Sequence, residues 1–84
     1  MLSIPDYAHT PFGKGDPKIS KGIDEYNSIN SRVAREYGMT RVDITPISRK
    51  GLDHPSLVAG DGLHPSGKQY GEWIHAILPY LLYY

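Results

Sequence analysis

The 84-residue chain contains no cysteine. That excludes a disulfide-stapled mini-protein, a thiol nucleophile and a cysteine-based zinc site, and it leaves the compartment open. Net charge is also missing, because nine Lys and Arg balance nine Asp and Glu. A neutral chain argues against a nucleic-acid groove or an anionic membrane surface as the main partner. No apolar run approaches the roughly 20 residues that a membrane helix needs. The opening MLSIPDYAHT has neither the basic start nor the long apolar stretch of a signal peptide. Trp and Phe occur once each, against seven Tyr, three of which fall in the last five residues. At 9.4 kDa the chain is one small domain at most, or a piece of a larger one. A compact chain of this size buries only roughly 60–65% of the surface that its unfolded form exposes.

Seven Pro and nine Gly punctuate periodic apolar segments, so they mark turns rather than disorder. Residues 1–5, MLSIP, form an apolar run stopped by Pro5 and are expected to be a strand. Residues 6–17, DYAHTPFGKGDP, form a loop longer than the usual connection, and such loops tend to carry function. Over residues 18–37, Ile19, Ile23, Tyr26, Ile29, Val33 and Tyr37 recur at steps of three and four. That spacing predicts a helix burying this stripe, with Gly38 at its C-terminal cap. Residues 40–45, TRVDIT, are expected to be a second strand, ended by Pro46, and HPSLV (54–58) fits one short helical turn. A second helix is expected over 66–82, with Tyr70, Trp73, Ile74, Ile77, Leu78 and Leu81 on one face. Ser66 is its N-cap, and Pro79 should kink or end it about a turn early.

Strand, helix, strand, helix implies an α/β fold with a parallel sheet and right-handed crossovers. Two parallel strands leave both edges unpaired, which makes the unit incomplete. More chain, or a second copy, is then needed to bury Ile4, Val42, Ile44 and the helix stripes.

The segment with the strongest chemistry is Gly60-Asp61-Gly62-Leu63-His64-Pro65-Ser66. Asp61 and His64 lie three residues apart in a turn tightened by Gly62 and Pro65. The carboxylate can fold back on one imidazole nitrogen and leave the other free as a base, the orienter-and-base half of a Ser-His-Asp relay. Its position after strand 40–45 suits the carboxyl-end loops where open α/β sheets keep their sites. The same spacing occurs in ordinary surface turns, so spacing leaves both readings open. A metal site of Asp61, His64 and His75 is disfavoured, since His75 lies some three turns down the helix. His54 and His75 read as surface residues and Trp73 as core.

DGLHPSGKQY, followed by an aromatic and aliphatic helix ending in ILP, resembles the C-terminal block of the SGNH (GDSL-type) esterase and lipase superfamily. Upstream, SIPDYAHTPFG, ISKGIDEYNSINSRVAREYG and RVDITPIS look like the strand, helix and last core strand that precede that block. The resemblance implies the C-terminal β-α-β-α part of a three-layer α/β/α, flavodoxin-like fold, incomplete in this chain. It implies an esterase or lipase in which His64 is the catalytic base and Asp61 orients it, with no metal or organic cofactor. The loop carrying Tyr7, His9 and Phe12 would border the acyl pocket of an ester substrate, against a bland alternative of loop packing.

The G-D-S block bearing the family's nucleophile is missing, as are its Gly and G-x-N-D blocks. None of Ser3, Ser20, Ser28, Ser31, Ser48, Ser56 or Ser66 falls in a strand-to-helix nucleophile turn. The chain is therefore expected to be the C-terminal portion of such a domain, with the attacking serine in a missing N-terminal half. Losing a triad member costs on the order of 10⁴-fold in rate, and losing oxyanion donors roughly a further 3–4 kcal/mol. The 84 residues alone are thus expected to be inactive. The alternative is a non-catalytic, truncated α/β module that self-associates. The terminal PYLLYY either packs on the missing half or forms a contact surface.

Overall fold

The computed structural model describes residues 1–81. Among the described residues there are three α-helices: α1, Pro17–Glu36; α2, Thr45–Ser48; and α3, Gly67–Leu81. Single 3-10 turns, Tyr7–His9 and Pro55–Leu57, sit in the loops before α1 and α3. The α1 signals act as sequence chemistry dictates. Asp16 accepts from the Lys18 N–H at 2.9 Å, and Pro17 occupies the first turn, where its missing N–H costs nothing. At the far end Gly38 has φ 64°, its N–H reaches Arg35 O at 3.3 Å, and Met39 N–H reaches Ala34 O at 2.8 Å. That is a Schellman termination.

The expected α/β architecture does not form. Among the described residues there is no β-strand, only two isolated bridges, Leu2 with Val42 (parallel) and Val58 with Pro65 (antiparallel). Segments 1–5 and 40–45 do run side by side, through Ser3 N–H to Val42 O at 3.0 Å and Val42 N–H to Met1 O at 2.9 Å. Side chains then take over the next rungs. Asn27 Oδ1 accepts from Ile4 N–H at 2.7 Å, and Thr45 Oγ1 donates to Ile4 O at 2.7 Å. Ser3 Oγ accepts from the N–H groups of Ile44 (2.8 Å) and Thr45 (3.1 Å). A ladder cannot extend once its donors and acceptors are satisfied this way. On one side Pro5 and the Asp6 turn break the line; on the other, α2 begins at Thr45, inside the segment expected to be extended.

The face of α1 differs too. The residues turned inward are Ile23, Asn27 and Ala34. Tyr26, Ile29 and Tyr37 of the expected stripe are exposed. The helix is rolled about a quarter turn from the orientation its apolar spacing favours, because Asn27 is drawn in to bond Ile4 and Thr45. Among the described residues the buried apolar side chains are few: Ala8, Ile23, Ala34, Val42, Ile44 and Leu57. α3 runs through Pro79 to Leu81 rather than ending a turn early. Trp73 is half-buried; it donates to Gln69 Oε1 at 3.1 Å and stands edge-on to Tyr70 with ring centroids 4.9 Å apart. The Leu81 side chain and residues 82–84, including the terminal tyrosines, lie outside the described residues.

Candidate functional site

Between Leu57 and Ser66 the chain folds back on itself. Ser66 N–H donates to Leu57 O (3.0 Å), Ala59 N–H to His64 O (2.8 Å) and Gly62 N–H to Ala59 O (3.0 Å). Gly62 sits at φ 74°, a left-handed conformation that favours glycine. The loop is moored to the segment before α1 by Phe12 N–H to Gly62 O at 3.0 Å. At its end Ser66 Oγ accepts from Gln69 N–H (3.2 Å), which caps α3, and donates to Ser56 O (2.6 Å).

Within this loop Asp61 and His64 meet. One carboxylate oxygen of Asp61 accepts from the N–H groups of Leu63 and His64, each at 2.9 Å. The other contacts His64 Nδ1. The turn thus uses both oxygens, one to fix the backbone and one to hold the ring. The Leu63 N–H, then the His64 N–H, then the His64 ring lower the Asp61 carboxyl from its ordinary 3.8 to about 2. The carboxylate is therefore charged across the working range of a histidine base. Nε2 of His64 has no hydrogen-bond partner among the described residues, and the side chain is exposed.

His64 forms part of the wall of a groove of about 550 Å³, with Ile4, Pro5, Tyr7, Phe12, Ile23, Leu63 and Pro65. Apart from the imidazole the lining carries no ionisable group save the Tyr7 phenol. Of the expected pocket residues, Tyr7 and Phe12 share this groove with His64. His9 does not line it; its Nε2 lies 3.7 Å from the buried Asp6 carboxylate. Ile4, Ile23, Leu63 and Pro65 were not foreseen as lining residues, since they come from three separate segments. Nor does the sequence flag Asp6, whose carboxylate lies behind Tyr7. It accepts from Ala8 N–H (2.9 Å), Ser20 Oγ (2.6 Å) and Arg49 Nε (3.0 Å). Burial alone would raise this carboxyl, but the bonds from Ser20, Ala8 and Arg49 outweigh it and leave the value lowered.

Several serines are committed elsewhere. Ser3 donates to Asp43 Oδ1 (2.7 Å), Ser20 to Asp6, Ser48 to Thr45 O (2.6 Å) and Ser66 to Ser56 O. No serine bonds to His64 among the described residues. These residues also hold no group of three or more His, Asp or Glu able to take a metal ion. His54 and His75 are both exposed. The arrangement can orient a histidine and keep one nitrogen open beside an apolar groove. The chain matches no family model, no curated protein and no solved structure.

Proposed function

We propose that this chain supplies the base and its orienting acid to a serine-type hydrolase of carboxylic esters, as its resemblance to SGNH esterases implies. The single observation that carries this reading is the Asp61–His64 contact at the edge of an apolar groove, with Nε2 unengaged. The nucleophile is a serine hydroxyl outside these 84 residues. Nε2 of His64 takes the hydroxyl proton as the oxygen attacks the ester carbonyl. The same proton then passes to the departing alcohol. Water, deprotonated by the same nitrogen, opens the acyl-enzyme and releases the acid. Asp61 holds the ring in the tautomer that leaves Nε2 free and stabilises the imidazolium that forms. The groove formed by Ile4, Tyr7, Phe12 and Leu63 suits an uncharged, apolar acyl group.

A fluorophosphonate, which labels serines activated by a histidine base, tests this. The tagged chain is recovered from its source and treated with the probe. A labelled serine is expected in the recovered complex, and the label should be lost with His64→Ala and reduced with Asp61→Asn. Absence of label, or labelling indifferent to His64→Ala, rejects the proposal. The chain alone should not turn over a p-nitrophenyl ester. Turnover abolished by His64→Ala would instead locate the nucleophile among its own serines.

A further inference from the structure

A second apolar groove, of about 450 Å³, lies where the start of the chain meets the C-terminal half of α3. Its walls include Met1, Leu2, Met39, Val42, Ile77 and Tyr80, and no charged side chain lines it. Met1, Leu2, Met39 and Tyr80 are each at least two-fifths exposed. The N–H and C=O of Leu2 have no partner among the described residues, since the bridge to Val42 uses the groups of Met1 and Ser3. A lone exposed leucine is unremarked in a soluble protein, but a cluster with an unpaired backbone edge marks a contact surface.

We infer that this surface is covered by a second copy of the chain in a two-fold dimer. Area is the first argument. The chain exposes 5658 Å², whereas a compact monomer of this mass exposes about 5,000 Å². The surplus of about 650 Å² per copy amounts to about 1,300 Å² over a pair, within the 1,200–2,000 Å² of specific interfaces. Shape agrees. The Cα radius of gyration is 13.4 Å, against about 12 Å for a chain of this length. The molecule is a slab, with extents of 36 × 28 × 16 Å. Charge is the third argument. A two-fold axis sets the same patch against itself, and like charges there would repel. No charged side chain lines the groove, the α-ammonium of Met1 is held by Thr40 O at 3.0 Å, and the chain has zero formal net charge. Self-contact therefore sets no charged side chain against its like. Leu2, Met39, Ile77 and Tyr80 are the apolar side chains this contact covers.

Sedimentation equilibrium of the chain at micromolar concentrations tests the inference, with circular dichroism to follow folding. The expected mass is twice 9.4 kDa. Leu2→Glu and Met39→Glu should each weaken the dimer by about tenfold or more, while Leu52→Glu, exposed outside the groove, should leave it unchanged. The second measurement does not depend on whether a Glu variant folds. It uses Met39→Cys, since in a cysteine-free chain it accepts a single spin label. Strong intermolecular broadening at the label supports the interface. A parent chain that stays monomeric, a dimer weakened no more by Leu2→Glu and Met39→Glu than by Leu52→Glu, a label without broadening, or a groove filled only by a different serine-bearing chain would each overturn it.

Discussion

Asp6→Ala should remove much of the molecule's stability, though Asp6 touches nothing in the proposed chemistry. The carboxylate is 1% exposed. It joins three segments: the Tyr7–His9 turn through Ala8 N–H, α1 through Ser20, and the end of α2 through Arg49. Alanine leaves the buried Ala8 N–H and the Ser20 hydroxyl without their acceptor. Arg49 keeps only its second carboxylate, Asp24, at 2.5 Å. Breaking one partner of a buried, hydrogen-bonded charge pair costs about 3–5 kcal/mol. At about 0.05–0.15 kcal/mol per residue a chain of this length has only about 4–13 kcal/mol in total. With a urea slope of about 1 kcal/mol/M, the midpoint should fall by about 3–5 M. Urea unfolding at neutral pH, followed by far-ultraviolet circular dichroism, measures it. Asp6→Asn keeps the acceptor for Ala8 N–H but sets an amide NH2 in place of the oxygen that accepts from Ser20 and Arg49, and should fall between the two. The pH dependence gives a second check. The folded carboxyl is lowered from its ordinary 3.8. Its contribution is therefore full above that value and is lost as pH falls through the lower folded one. The gap between parent and Asp6→Ala should then close on acidification below about pH 4. A midpoint within about 0.5 M of the parent's at neutral pH, or a gap that widens in acid, would refute this account of the network.

Carbon-detected titration of Asp61 should give a midpoint of about 2, and His64→Ala should leave most of that depression in place, because the N–H groups of Leu63 and His64 are its larger causes. A return to 3.8 on losing the ring alone would show that the backbone turn is not what holds the carboxylate. Two glycine substitutions should move stability in opposite directions, read by thermal unfolding. Gly13→Ala places a Cβ 2.2 Å from Tyr7 O and 2.6 Å from Ala8 Cα and should destabilise. Gly22→Ala, inside α1 with nothing within 4 Å, should stabilise by about 0.5–1 kcal/mol.

What the sequence determined by itself is local. Asp16, Pro17 and Gly38 bound α1 because caps act through bonds spanning only a few residues. Asp61 and His64 meet for the same reason: a three-residue turn with a glycine at φ 74° can hardly keep them apart. The short turn at 55–57 and the Ser66 cap are of this kind. What only the tertiary structure decided depends on which distant group satisfies a backbone donor or acceptor. The apolar run of MLSIP and the alternating Val42 and Ile44 of TRVDIT predict strands. Pairing, however, ends after one bridge, because Asn27, Thr45 and Ser3, far apart in the chain, take the bonds that a ladder would have used. The inward pull on Asn27 also turns Tyr26 and Ile29 outward, against a periodicity that marked them as core. Asp6 looked like any aspartate in a loop until Ser20 and Arg49 converged on it. Short-range hydrogen bonds can be read from neighbouring residues; competition for backbone groups across 20 or 40 positions cannot, because it is settled by whichever segments pack together.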